Sequence, residues 1–166
     1  MSAPGDRSTR PTVHLLCGLP GCGKTTLARR MAAESGAIVL GHDERMVARH
    51  GTNPPEAEFA ALAGAVTEEL WREASEVVAS GRDVILDWGF WTRAERDAAR
   101  ERVAAIGAIG VLHVVACEDK VARARTLART ATGGPVLEIN GAAWDAFRAR
   151  FEPPGADEGA VSSRSD

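Results

Sequence analysis

Gly18-Leu19-Pro20-Gly21-Cys22-Gly23-Lys24-Thr25 follows directly on the strand-like run Thr12-Val13-His14-Leu15-Leu16-Cys17. It precedes Thr26-Leu27-Ala28-Arg29-Arg30-Met31, which reads as the start of a helix. The eight residues satisfy the pattern G-x-x-x-x-G-K-[ST] at every fixed position, in the strand–loop–helix setting that gives the pattern its meaning. Glycines let the backbone curl so that successive N–H groups point inward at phosphate oxygens, where side chains would obstruct. The lysine reaches the β- and γ-phosphates, the Thr25 hydroxyl stands where a Mg²⁺ ligand is needed, and the new helix adds its positive end. Gly21, Cys22, Gly23, Lys24, Thr25 and Thr26 are therefore the expected phosphate-binding set. The chain holds only two lysines, Lys24 and Lys120, against 18 arginines, and one of the two falls where the motif demands it.

A length of 166 residues suits one domain with a proper core. Hydrophobic residues at 45% and charged residues at 26% are ordinary for a globular protein. No apolar run reaches membrane-span length, and the polar start lacks the apolar core of a signal peptide, so no membrane partner and a cytoplasmic setting are expected. A net charge of −3 with no basic block argues against a large nucleic-acid footprint. Three cysteines make no disulfide framework. Cys17 and Cys117 end apolar runs and are expected to be buried, whereas Cys22 is expected to be open to thiol reagents.

Outward from the loop, residues 1–11 read as a disordered leader, 12–161 as one domain and 162–166 as a flexible tail. Gly36 closes the first helix, and Ala37 to Leu40 is a short strand ending at Gly41-His42-Asp43-Glu44-Arg45. Asn53 is expected to cap a helix running to about Ser80, with Pro54 in its first turn and a core stripe of Phe59, Leu62, Val66, Leu70, Ala74 and Val77. Asp83 to Asp87 is the next strand, and Thr92 with Glu95 forms a capping box for a helix that ends near Gly107 or Gly110. A strand over Val111 to Cys117, a basic helix over Val121 to about Thr130, an extended piece over Val136 to Ile139 and a helix over Ala142 to Arg150 follow. A last strand around Gly159 to Val161 is weakly signalled. Strands alternating with helices give an α/β fold with a parallel sheet, and the site belongs at the carboxyl ends of its strands.

Three segments then share one edge: Gly18 to Thr25, His42 to Arg45, and Asp87 to Trp91. Asp43 is placed either to orient an acceptor hydroxyl and take its proton, with His42 as the other candidate base, or to cap a helix over Glu44 to His50. Asp87 stands near Mg²⁺ or the acceptor, or simply forms a turn. Trp88, Phe90 and Trp91 either stack on a flat acceptor or pack as a plug, with the plug favoured for at least one. Arg125 and Arg129, four apart, share a helix face and either close over phosphates, with Gly133-Gly134 as a hinge, or form a solvated basic face. Arg93 and Arg96 are acceptor ligands or surface charge.

With Gly18 to Thr25, His42-Asp43-Glu44, Val84 to Arg96, Arg125…Arg129, Phe151-Glu152-Pro153-Pro154 and Asp157-Glu158 on the page, the chain resembles the small P-loop kinases. That group includes the AAA_33 and zeta-toxin-like ATP-binding proteins, chloramphenicol phosphotransferase and the kinase domain of phage polynucleotide kinase. The resemblance covers nearly all of the chain after the leader. It implies a single P-loop kinase domain with a five-stranded parallel sheet in order 2-3-1-4-5, sandwiched by helices, and transfer of the γ-phosphate of ATP to a hydroxyl. Asp43 matches the group's acceptor-activating aspartate, and Arg125 and Arg129 match its lid arginines. Two positions depart. Met46 stands where the polynucleotide kinase pattern has arginine, which weakens the nucleic-acid reading, and Thr130 stands where relatives have Asn.

The expected activity is an ATP-dependent kinase acting on a small hydroxyl-bearing molecule, an antibiotic or nucleoside-like natural product, with ATP and Mg²⁺ as cofactors. The expected catalytic groups are Asp43, Lys24, Arg125 and Arg129, with Thr25 on the metal. Asp87, Trp88, Trp91, Arg93 and Arg45 are expected to shape the acceptor pocket. The alternatives are a polynucleotide 5′-hydroxyl kinase and a regulatory module that binds ATP without transfer.

Overall fold

The computed structural model describes residues 10–164. Most of the expected leader, and residues 165–166 of the expected tail, lie outside them. In chain order the elements are β1 Thr12–Cys17, α1 Lys24–Ser35, β2 Ile38–Gly41, α2 His42–His50, α3 Glu56–Ala79, β3 Val84–Gly89, α4 Arg93–Ala105, β4 Ile109–Val115, α5 Asp119–Thr132, α6 Gly141–Arg150 and β5 Val161–Ser163. The strands form one sheet in the order β2-β3-β1-β4-β5, every pairing parallel. The strand carrying the glycine loop is therefore central, as the resemblance implies.

The two sheet faces bury different strips of the same strands. Val13, Leu15, Leu86 and Leu112 face Val66, Leu70, Trp71 and Ala74 of α3 and Ala99 and Val103 of α4. Leu16, Ile85 and Val115 face Leu27 and Ala28 of α1. Each Val, Leu or Ile among them, fully withdrawn from water, contributes about 1.5–3 kcal/mol. A third cluster of Leu19, Ala122, Ile139 and Trp144 seats α5 and α6 on the glycine loop.

Several element ends differ from the sequence reading. Asn53 does not cap α3: its N-cap is Pro55, with no side-chain hydrogen bond. A residue before proline is driven out of helical backbone, so Pro54 cannot enter the first turn. Phe59 is 37% exposed and Val78, not Val77, is buried, so the first turns of α3 project beyond the sheet. β4 begins at Ile109, whose N–H donates to the Pro11 carbonyl (2.9 Å), and ends at Val115, where β1 turns into the loop; Cys117 is outside the strand and only half-buried. Val136 to Ile139 is not extended sheet. Its N–H groups go to the Thr52 carbonyl (Glu138, 2.9 Å) and to the Thr130 hydroxyl (Ile139, 3.0 Å). β5 exists, with Val161 beside His113, and the expected domain limit at 161 falls inside it. The Thr92–Glu95 capping box and the left-handed Gly36 cap are present as read.

One buried ion pair fastens the end of the chain to the site edge. Arg96 of α4 is fully buried and grips Glu158 through Nε (2.8 Å) and Nη2 (3.1 Å), while its Nη1 donates to the Phe90 carbonyl (2.9 Å). The Arg96 guanidinium holds the Glu158 carboxyl down at about 2, against an ordinary 4.5, with Arg100 helping. Because the folded value lies below the unfolded one, this contribution is fully present above about pH 4.5 and is lost as pH falls through about 2. Glu158→Gln leaves a buried guanidinium without its counter-charge, and at pH 7 it is expected to cost about 3 kcal/mol in urea unfolding. The gap to wild type should narrow steadily between pH 4.5 and 2. A variant as stable as wild type at pH 7 would remove the pair from the account.

Candidate functional site: a phosphate loop with two carboxylates

β1, β2 and β3 end at one edge, and the segments that follow them meet there. The loop after β1 needs left-handed backbone at Gly21 (φ 84°) and Gly23 (φ 99°), the latter capping α1 without a side chain. Gly21 has a second reason to lack a side chain, since a Cβ there would collide with the Ala122 carbonyl oxygen and the Thr126 hydroxyl of α5. The carbonyls of the loop are bound by side chains, one of them from the loop itself. Trp91 Nε1 donates to Gly18 O (3.0 Å) and Trp144 Nε1 to Pro20 O (3.0 Å). Lys24 Nζ donates to Gly18 O (2.8 Å) and Leu19 O (3.0 Å). Cys22 is only 3% exposed and packs with Leu16, Leu27 and Val115, which corrects the expectation that reagents reach it. Burial also pushes the Cys17 thiol up to about 11, so it is inert.

Thr25 and Thr26 are exposed on the first turn of α1, and the Thr25 hydroxyl donates to Asp87 Oδ2 at 2.6 Å. β3 thus delivers a carboxylate to the residue that the loop motif assigns to a metal. Asp43 is not a cap: α2 starts at His42 with Gly41 as N-cap, and Asp43 lies in the first turn. Asp43 is exposed to solvent, and protein atoms around it partly desolvate its carboxyl. That desolvation raises its pKa from the ordinary value, Asp87 adds to the rise, and Lys24, His42 and Arg129 oppose it. Asp43, Asp87, Lys24 and Arg129 therefore share one electrostatic neighbourhood. His42 is occupied, with Nε2 3.0 Å from the Thr67 hydroxyl and 3.2 Å from the Ala63 carbonyl.

Other expected site residues are engaged elsewhere. Arg45 binds Glu69 (2.8 Å) and Glu73 (2.7 Å) of α3. Arg93 binds Asp157 (2.8 Å) and Asp97 (3.2 Å). Trp88 is the plug: its indole donates to Leu40 O (3.0 Å), and its ring packs against Trp71, Phe90 and His42 at 5.2–5.9 Å. Trp91 packs its ring, tilted, against Phe147 (4.5 Å) besides holding the loop. Arg125 is exposed, with Nη1 3.9 Å from Cys117 Sγ. The helix of Arg125 and Arg129 packs on the loop through buried Ala122 and Thr126, and the glycine-rich strap follows it.

Trp144 escaped sequence reasoning, although one of only four tryptophans in a short polar helix was the available signal. Its N–H binds a loop carbonyl and so helps hold the loop backbone. Trp144→Phe keeps the ring and removes the donor. Losing one such bond is worth about 1 kcal/mol, or about five-fold in affinity. ATP affinity, measured by fluorescent-nucleotide competition, should fall by about that factor, with adenosine affinity unchanged. Equal ATP binding by variant and wild type would overturn the role.

Several solved structures share this fold. No curated protein matches the chain. A kinase candidate from Chloroflexus aurantiacus superposes with TM-score 0.74 at 20% identity, over 95% of this chain and 86% of that one. The Mycobacterium tuberculosis APS kinase CysC, solved with AMPPNP and APS, gives 0.59 at 20% identity over 95% and 90%. A chain of the Pnkp1/Rnl/Hen1 RNA repair complex gives 0.71 at 17% identity, over 90% of this chain and 46% of that one. At these identities the likeness is one of fold. The sequence itself matches the family AAA_33 (AAA domain) over residues 13–154, and the chain belongs to that family of small P-loop proteins with a kinase-type fold.

Proposed function

We propose that this protein is an ATP-dependent phosphotransferase that moves the γ-phosphate of ATP to a hydroxyl of a small molecule. The observation that carries this reading is the pairing of Thr25 with Asp87 at 2.6 Å beside a separate, solvent-touched Asp43. A hydrolase would need one carboxylate near the metal and a group to orient water. Here a second carboxylate stands apart from the Thr25–Asp87 pair, where an acceptor hydroxyl could meet it.

In this reading the loop N–H groups and Lys24 bind the phosphates, and Arg129, with Arg125, neutralises charge on the transferred group. Thr25 Oγ1 and Asp87 would hold Mg²⁺, being oxygen donors of the hardness that ion prefers. Such an ion keeps several waters and binds one or two protein oxygens together with phosphate oxygens. Bound there, the ion would supply charge stabilisation to the phosphates. Asp43 would orient the acceptor hydroxyl and accept its proton, with its pKa raised from the ordinary value by desolvation. Antibiotics and nucleoside-like natural products are the first acceptors to test. Among the described residues no helix is long and apolar enough to cross a membrane, and a cytoplasmic setting supplies the ATP. The polynucleotide alternative loses support from Met46, fully buried where that pattern wants arginine, and from Arg45, tied to α3.

Asp43→Asn tests the reading in two directions. Phosphate transfer, followed by mass spectrometry of a hydroxyl-compound library with ATP·Mg²⁺, should fall by about 10²- to 10⁴-fold with ATP binding retained. The sign for stability is opposite: an aspartate whose folded pKa is raised is destabilising when ionised, so the variant should melt higher than wild type at pH 7. Full transfer by Asp43→Asn would sink the assignment. ATP binding without any transfer by wild type would favour the regulatory alternative.

A further inference from the structure

Gly18, the first residue of the phosphate loop, is gripped on both of its backbone groups by the turn that ends β3. Its N–H donates to the Gly89 carbonyl (3.0 Å), and its own carbonyl accepts from Trp91 Nε1 (3.0 Å). Lys24 Nζ donates to that same oxygen (2.8 Å), so the indole and the loop lysine meet on one atom. The indole reaches it by folding back over the turn. Gly89 stands at φ 129°, and a Cβ there would lie 2.8 Å from Trp91 Nε1. Phe90, next along, is at φ 48°, where a bulky residue stays only if its surroundings hold it. A turn held in two uncommon conformations has to be braced from elsewhere.

The brace is Arg96, which is fully buried. Its Nη1 donates to both carbonyls of the turn, that of Phe90 (2.9 Å) and that of Trp91 (3.3 Å). Its Nε and Nη2 are fixed on the Glu158 carboxylate (2.8 and 3.1 Å). The rest of the Trp91 backbone is held locally and by the chain after α6. Its N–H donates to Glu95 Oε2 (2.9 Å), and its carbonyl also accepts from the Glu152 N–H (2.8 Å). Among these groups only Arg96 touches both carbonyls of the turn. We infer that Arg96, anchored by Glu158, is a positioning residue for ATP: acting through Trp91, it sets where Gly18 and Lys24 stand, and so sets affinity for the phosphates without touching the nucleotide. This rests on the phosphotransferase reading above in taking the loop as the ATP site.

The test is competition binding of ATP and of adenosine to variants of the intact chain, with urea unfolding to check that each is folded. Trp91→Phe removes the N–H and keeps an aromatic ring against Phe147. Arg96→Lys keeps a cation beside Glu158 and loses the fork that spans both carbonyls. Each should weaken ATP by about five-fold, the loss expected for one hydrogen bond, and leave adenosine unchanged. Because Arg96 acts through Trp91, the double variant should lose no more than Trp91→Phe alone. Trp144→Phe, whose lost N–H served Pro20, is the contrast. Combined with Arg96→Lys, its loss should multiply to about 25-fold. Unchanged ATP affinity in Trp91→Phe, a loss shared by adenosine, or multiplying losses for Trp91→Phe with Arg96→Lys would each overturn the inference and leave the kinase reading standing. If Arg96→Lys does not fold, Glu158→Gln, which keeps the guanidinium and loosens its anchor, takes its place in the cycle, and the same outcomes decide. Failure of the wild type to bind ATP would overturn the reading of the loop itself, and the inference with it.

Discussion

A loop that presents its N–H groups to a phosphate has to leave its carbonyls somewhere, and most of this structure can be read as the answer to that requirement. Buried carbonyls without donors cost free energy comparable to lost hydrogen bonds. Here Gly18, Leu19 and Pro20 hand theirs to Lys24, Trp91 and Trp144. Those donors come from the start of α1, from the turn after β3 and from α6. Three elements far apart in sequence must fold correctly before the loop has its shape. The same dependence explains Gly21, where the α5 backbone lies too close for any Cβ.

The turn that supplies Trp91 is itself under constraint. Phe90 adopts φ 48°, uncommon for a bulky residue, and is held there by its surroundings. Its carbonyl accepts from Arg96 Nη1 (2.9 Å) and from the Cys17 thiol (3.3 Å), and its ring stacks on Trp88 at 5.4 Å. Arg96 can do this while gripping Glu158 because a guanidinium offers five donors in a fixed fork; a lysine ammonium could not span both. The ion pair thus links the strained turn, the indole beneath the loop and the last strand of the sheet. A bare pair at such burial is weak grounds for stability, but here its second function is positional.

The legible parts of the sequence were those governed by local spacing. The glycine loop, the alternation of strands and helices, the Thr92–Glu95 box and the placement of Asp43 and Asp87 at strand ends all follow from neighbours within a few residues. The illegible parts depend on partners dozens of residues away. Arg45 sits two positions after Asp43 yet turns to Glu69 and Glu73, and Arg93 turns to Asp157, because a long flexible cation reaches carboxylates that only the tertiary fold brings near. Trp88 became core and Trp91 a donor for the same reason: β3 ends one strand from the loop, so its aromatic residues meet backbone. The cap at Asn53 failed on a local rule that was present in the sequence, the effect of one proline on another. Thr130 departs from the family pattern, and its hydroxyl both donates to and accepts from the Ile139 backbone, tying the strap to α5.

Charged neighbours set the state of the Asp43 carboxyl. Desolvation and the repulsion of Asp87 raise its pKa, against Lys24, His42 and Arg129, all lowering. A bound triphosphate would neutralise Lys24 and Arg129 and so tip the balance further toward a basic carboxylate. In the proposed reaction the base would then be strongest when the phosphoryl donor is in place, which couples proton acceptance to the presence of ATP through charge alone.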